Sequence, residues 1–279
     1  MTKRQWVNIV KDKDSQIETI RAHFEGHAYD AHWHDNYLVG VTESGVQQFH
    51  AGRVRYRSTP GKVITLAPGE VHDGDAVDPA GFTYRMLYIP PELFQCALPE
   101  IFDNAPGRME ISCPATLFHD EVLAAATLSA FDALHGQDFK IVKDHAMQQL
   151  ISVLTRRYPW RKHAMPANER NPAIQRVRDF LHDRSGGDIG LAELAAIAGV
   201  DRFRLNRQFQ RCYGLPPHAY LVQLRLANAR RLLARGILPA DAAAQSGFAD
   251  QSHLGRWFKR AYCLTPAAYR RICTIDTDR

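Results

Sequence analysis

The sequence predicts an α+β chain in two parts: an N-terminal antiparallel β-barrel with appended helices, then an all-α domain with two helix-turn-helix motifs. Three observations carry that expectation. Residues 20–95 alternate short β-rich runs with evenly spaced turn residues. From about residue 115 the apolar residues fall at helical spacing instead. And LNRQFQRCY at 205–213 recurs as LGRWFKRAY at 254–262, an offset of 49 residues.

Composition bounds the problem. The 279 residues suffice for one large domain or two ordinary ones, and 45% hydrophobic with 23% charged residues suits a chain that buries a core. No apolar run reaches the ~18 residues of a membrane helix. The start, MTKRQWVNIVKDKDSQ, has no apolar signal region. A cytoplasmic protein with no membrane partner is therefore expected. Cys96, Cys113, Cys212, Cys263 and Cys273 form no CxxC pair and read as reduced thiols. Charge is uneven: residues 170–279 hold 18 Lys+Arg against 9 Asp+Glu, whereas 1–169 hold 17 against 21. A basic C-terminal part beside a mildly acidic one suggests one module for a polyanion and one for something else.

The first 16 residues read as a disordered terminus, with an arm anchored by Trp6 as the alternative. YLVGVTESGVQQFHAGRVRYRS then alternates strands with ESG and AGR turns, and TPG, APGE and DPAG continue the rhythm, placing the barrel at about 20–95. LFHDEVLAAATLSAFDALHG and DFKIVKDHAMQQLISVLTRRY give two helices within 116–158, with Ile141, Leu150, Val153 and Leu154 at helical spacing and Pro159 as the stop. Such helices either form a dimer interface or cover the barrel. The N-terminal domain is thus placed at 1–160. PWRKHAMPANERNP is polar and bracketed by prolines, so 161–171 is taken as a linker, and 172–279 as the second domain. Asn171 followed by Pro172 suits an N-cap and first helical position.

The 49-residue offset pairs Asp201 with Asp250, Arg207 with Arg256, Phe209 with Phe258, Arg211 with Arg260, Tyr213 with Tyr262, Pro217 with Pro266 and Tyr220 with Tyr269. Two copies of one supersecondary unit are present. In the first, LAELAAIA is a helix stopped by Gly199, and Asp201 caps the next; in the second, PADAAAQS precedes Gly247 and Asp250 is the cap. On a helical wheel Leu205, Phe209 and Cys212 form a core stripe, with Phe203, Asn206, Arg207 and Gln210 roughly opposite. In the repeat the core stripe is Leu254, Phe258 and Ala261, and the outer face is Ser252, Gly255, Arg256 and Lys259. An arginine at one equivalent outer position in both copies is what a helix entering the DNA major groove needs. PPHAYLVQLRLANARRLLARG between the copies reads as one helix of about 18 residues, or ~27 Å. That suits adjacent groove segments, which recur every ~34 Å.

Residues 172–271 resemble the DNA-binding domain of the AraC/XylS family of transcriptional regulators. GVDRFRLNRQFQRCYGLPPHAY and GFADQSHLGRWFKRAYCLTPAAYRR carry the resemblance. It implies base contacts from Phe203, Asn206 and Arg207, and from Gln251, Ser252, His253 and Arg256. Arg211, Lys259 and Arg260 are expected on phosphate. Gly255 departs from the side-chain-bearing residue often found there.

HAYDAHWHDNYLVGVTESG and GKVITLAPGEVH resemble the two cupin motifs, with Gly26, His32, His34 and Gly45 in the first and Gly61, Gly69 and His72 in the second. Leu38 stands where metal cupins carry a glutamate. His32, His34 and Leu38 share strand parity, so all should face inward. Two readings of the histidines follow. They line a small-molecule pocket with Tyr84 and Met86, the reading the family resemblance favours, and no cofactor is then needed. Or His32, His34 and His72 hold zinc or another divalent metal with water in the fourth place. The leading expectation is a regulator, an activator by resemblance, that is not an enzyme. It binds double-stranded promoter DNA and a small-molecule effector, forms a homodimer and contacts RNA polymerase. The alternative is a metal-dependent cupin enzyme or metal sensor fused to a DNA-binding domain.

Overall fold

The computed structural model describes residues 5–101, 109–111, 115–157, 160–162 and 171–274. The chain divides into two compact units, Met1–Ala164 and Met165–Arg279. The first opens with nine strands: β1 (Trp6–Lys11), β2 (Glu18–Phe24), β3 (His27–His32), β4 (Tyr37–Gly45), β5 (Gln47–Ala51), β6 (Val54–Ser58), β7 (Val63–Leu66), β8 (His72–Ala76) and β9 (Phe82–Ile89). After them come α1 (Pro91–Ile101), β10 (Met109–Ile111), β11 (Leu117–Phe118), α2 (Glu121–His135), α3 (Lys140–Arg157) and β12 (Trp160–Lys162). A six-stranded sheet runs β1-β2-β9-β4-β7-β11, a four-stranded one β3-β8-β5-β6, and β10 pairs with β12. Every pair is antiparallel.

The larger sheet buries both faces. On one, Val39, Val41, Val63, Leu87 and Ile89 pack with Leu123, Phe131, Leu134, Leu150 and Leu154 of α2 and α3 in a single apolar cluster. On the other lie Phe24, Leu38, Leu66, Tyr84, Met86 and Tyr88, all buried. This is why β4 and β9 read as almost unbroken apolar runs rather than as alternation. The ends of β4 and β9 approach closely: a Cβ on Gly45 (φ +71°) would clash with the Gly81 carbonyl oxygen, so only glycine fits there.

Charged residues clamp the helical layer to the sheet. Glu43 of β4 accepts from Arg21 of β2 (2.9 and 2.5 Å) and from Arg85 of β9 (3.0 Å), and Arg85 also donates to Asp132 of α2 (2.9 Å). Asp12 and Lys143, both well buried, pair at 2.5 Å and tie the β1–β2 turn to α3.

Residues 6–11 are not a disordered terminus. They form the edge strand β1, and Trp6 stacks on His23 of β2 at 6.2 Å under the Arg21 guanidinium. The strand was hidden because WVNIVK is short and preceded by charge. Ile141 is 77% exposed, while Leu150 and Leu154 are buried. α1 lies where no helix was expected. Arg161 and Lys162 belong to β12; Cys113, Pro159 and most of the proposed linker lie outside the described residues.

The second unit has seven helices among the described residues: α4 (Pro172–Asp183), α5 (Leu191–Ala198), α6 (Arg202–Tyr213), α7 (Pro217–Ala234), α8 (Pro239–Gln245), α9 (Gln251–Tyr262) and α10 (Pro266–Thr274). Their starts follow the sequence signals. Asn171 accepts from the Ala173 and Ile174 amides ahead of Pro172. Leu226, Ala229 and Leu233 of α7 pack with Ala242, Ala243, Leu254, Phe258 and Tyr269. No described helix is long and apolar enough to cross a membrane.

The Glu43 clamp gives a pH dependence. Hydrogen bonds from Arg21 first, then Arg85, lower the Glu43 pKa from 4.5 to about 2. A depressed carboxyl stabilises the fold above the unfolded value and ceases to do so as pH falls through the folded one. The stability gap between the wild type and Glu43→Gln should therefore be largest above pH 5 and close between about pH 4.5 and 2 in thermal melts.

Candidate functional site

The two copies of the helical unit are built alike. In α6 the Asp201 carboxylate accepts from the Phe203 (2.9 Å) and Arg204 (2.8 Å) amides; in α9 Asp250 accepts from the His253 amide (2.6 Å). The left-handed turn residues Gly199 (φ 66°) and Gly247 (φ 79°) precede these caps. Beneath α6, Leu205 and Phe209 are fully buried, and Phe209 meets Tyr213 and Tyr220 at 4.8 and 5.3 Å. Beneath α9, Leu254 and Phe258 are fully buried, and Phe258 meets Tyr262 and Tyr269 at 4.7 and 5.7 Å. Cys212, expected in the first core stripe, is only half-buried.

Most of the expected readers are exposed. Phe203 is 80% exposed. Arg207, Gln210 and Arg211 on α6 are exposed, with Asn206 half-buried. On α9, Gln251, Ser252, Arg256, Lys259 and Arg260 are exposed. α7 between them runs 18 residues, a ~27 Å strut. An exposed arginine on each reading helix can address guanine, Asn206 and Gln251 can address adenine, and Phe203 suits a thymine methyl.

Two details were not legible in the sequence. His253 is not a loose polar residue: Trp257 Nε1 donates to its Nε2 at 2.9 Å, and its ring meets Phe248 edge-on at 5.5 Å. With Nε2 accepting, the neutral ring carries its proton on Nδ1. Trp257 also lies under the Arg260 guanidinium at 5.1 Å. The i, i+4 spacing of His253 and Trp257 was the available signal. Nor does all the C-terminal arginine face outward for a polyanion. Arg225 donates to the Ser185 and Gly187 carbonyls, Arg270 to the Gly236 carbonyl, and Arg230 to the Tyr269 hydroxyl.

In the first unit three imidazoles meet inside the barrel. His32, His34 and His72 are 3%, 4% and 5% exposed. One ring nitrogen from each lies within 4.8 Å of the others. His32 and His72 stand opposite each other in the β3–β8 pair. His34 lies beyond β3, in the loop to β4, and the Gly69 amide donates to its carbonyl at 2.8 Å. One glycine of the second motif thus fixes a histidine of the first. His32 Nδ1 bonds the Asp30 carbonyl (2.7 Å) and His72 Nδ1 the Glu70 carbonyl (3.0 Å). A carbonyl only accepts, so both Nδ1 atoms carry protons and both Nε2 lone pairs face the cluster. His32 Nε2 and His34 Nε2 are 2.9 Å apart, so His34 donates there. Burial pushes the His72 pKa down to about 4. Leu38, in the carboxylate position, is buried opposite Tyr88.

Aromatic rings complete the surroundings. Tyr88 meets His34 edge-on at 4.8 Å, and Tyr29 meets His32 at 5.3 Å and His72 at 6.3 Å. Neither tyrosine was singled out in the sequence. Tyr84 and Met86 are buried on the same face of β9, but Tyr84 stacks with Phe24 and Phe82, and the Met86 sulfur fills the space over Gly40.

The repeat also differs between copies in two testable places. A Cβ on Gly255 would touch nothing within 4 Å, so Gly255→Ala should add about 1 kcal/mol to stability through helix propensity. Gly214 ends α6 with φ 78°, whereas Cys263 takes the same left-handed position after α9 with φ 58°. Cys263→Gly should stabilise by about 1 kcal/mol. Thermal melts of the two variants check both signs.

Comparison with known proteins agrees with this geometry. The AraC-like ligand binding domain matches residues 15–151, and a helix-turn-helix domain matches residues 194–272. The uncharacterized HTH-type transcriptional regulator YbfI of Bacillus subtilis (strain 168) is 28% identical over 246 residues, covering 87% of each chain. The HTH-type transcriptional activator RhaS of Klebsiella pneumoniae (strain 342) is 23% identical over 251 residues, covering 88% of each. The fold is similar to that of ToxT from Vibrio cholerae strain SCE256, solved with an unsaturated fatty acid bound (TM-score 0.52, 15% identity, 100% of this chain and 99% of that one). With a ligand-binding domain before a helix-turn-helix domain and relatives that match across most of its length, the chain belongs to the AraC family of transcriptional regulators.

Proposed function

We propose that this regulator reads two adjacent major-groove segments of promoter DNA with α6 and α9, under the control of a small-molecule effector held within the barrel near His32, His34 and His72. The carrying observation is the duplicated, aspartate-capped reading helix with Arg207 and Arg256 exposed at equivalent positions. The base readers are Phe203, Asn206 and Arg207, then Gln251, Ser252, His253 and Arg256. Arg211, Lys259 and Arg260 serve the phosphates. Tyr84 and Met86 belong to the wall of the effector site. The RhaS relative is named an activator, which supports activation here, with a homodimer acting in the cytoplasm and touching RNA polymerase. No catalytic step is proposed.

The reading is tested by binding isotherms on operator DNA. Arg207→Ala and Arg256→Ala should each cost roughly 1–3 kcal/mol and relax sequence choice at different base pairs. Arg260→Ala should weaken all sequences alike and reduce the salt slope by about 1. If Arg256→Ala behaves like Arg260→Ala, α9 is only a clamp.

A second reading, a metal within the barrel, is favoured by one observation: two Nδ1 atoms are held by backbone carbonyls, so two Nε2 lone pairs face the cluster. Carbonyl-oriented imidazole is the usual second shell of a metal ligand, and three histidines leave a fourth place open. Leu38 in the carboxylate position argues against a 2-His-1-carboxylate oxygenase site. Elemental analysis should find about one zinc per chain, lost in His72→Ala, if the cluster is a metal site, and none if the histidines only line the effector site.

A further inference from the structure

Among the described residues, Gln47 is a lumen-side amide whose hydrogen bonding is left open. It sits at the start of β5, paired with Ser58 and Ala76, and is 2% exposed. Along β5, Gln47, Phe49 and Ala51 are buried, while His50 is exposed and held by Asp73. Gln47 therefore faces the interior. Its Nε2 donates to the Tyr29 hydroxyl at 2.8 Å, and Tyr29 is the ring that packs against His32 and His72. Its Oε1 is fully buried and makes no hydrogen bond. One polar end of a buried amide thus goes unused beside the imidazole cluster, at a cost an apolar residue on this strand would avoid.

We propose that Gln47, with Tyr29, is the polar anchor of the effector site and selects an uncharged, hydroxyl-bearing small molecule. This rests on the effector reading above. A ligand hydroxyl can donate to the open Oε1. The charge on the inner face disfavours a net acid. Along β2, Glu18, Ile20, Ala22 and Phe24 share the inner face, and Phe24 touches Tyr29. Lys11 of β1 lies directly opposite Glu18. Arg21 and Arg85 face the α2 side, and Arg55 and Arg57 lie opposite the outward His50 and Gln48. Among the described strand positions, the interior thus offers one Lys and one Glu, and a carboxylate would have to draw its counter-charge from a buried imidazole. An unmatched buried carboxylate costs far more than a hydroxyl.

The test uses the full chain, Gln47→Met, and two matched pairs of probes: benzyl alcohol with benzoate, and glucose with gluconate. If the amide is kept for a ligand, Gln47→Met without ligand melts about 2–6 °C above the wild type. If Gln47 is instead a brace for Tyr29, the variant melts lower and the assignment falls. In calorimetric titrations the neutral member of a pair should bind the wild type, at least tenfold weaker in the variant. Tighter binding of either carboxylate than of its neutral partner overturns the charge argument. Wild-type promoter binding is titrated with the same probes. A loss of coupling there strikes the effector reading and leaves the stability result to judge Gln47.

Discussion

The C-terminal unit is arranged around the buried stripes beneath its two reading helices, Leu205 with Phe209 and Leu254 with Phe258. An arginine can discriminate a base only if the helix carrying it is fixed to within a fraction of an ångström. Each stripe is closed from below by tyrosines, Tyr213 and Tyr220 in one copy, Tyr262 and Tyr269 in the other. Each helix is capped by one aspartate. The small residues of α5 and α8 let the first helix of each pair approach closely. α7 buries Tyr220 against the first copy and Leu226 against the second, so it is held at both ends. What remains on the outer faces is free to be chosen for DNA.

The N-terminal unit obeys a different constraint. Away from its edge strand, its larger sheet is covered on both faces: one side is committed to α2 and α3, the other to the barrel interior. Burying polar groups inside requires partners for each of them. The histidines find them in the Asp30 and Glu70 carbonyls and in one another. Gln47 does so only in part.

Most of the C-terminal unit was legible because its signals are local. Asn171, Gly199, Asp201, Gly247 and Asp250 mark helix ends within a few residues of themselves, and the 49-residue repeat checks each mark twice. The barrel was legible as strands and as a three-histidine cluster, since HxH and the later His72 carry distinct spacing. What was missed is long-range. Tyr29 and Tyr88 reach the histidines through β-strand pairing with partners dozens of residues away. Strand β1 exists only because β2 offers an edge for it. Trp257 was given no role in the sequence, because its bond to His253 depends on both rotamers.

One measurement tests the central claim most directly: a hydroxyl-radical footprint of the full chain on its promoter DNA. Two reading helices joined by α7 predict paired protections on one face of the duplex, centred about 10 base pairs apart for each chain. A single protected segment per chain would contradict the account, and would leave the second copy of the repeat without the role assigned to it.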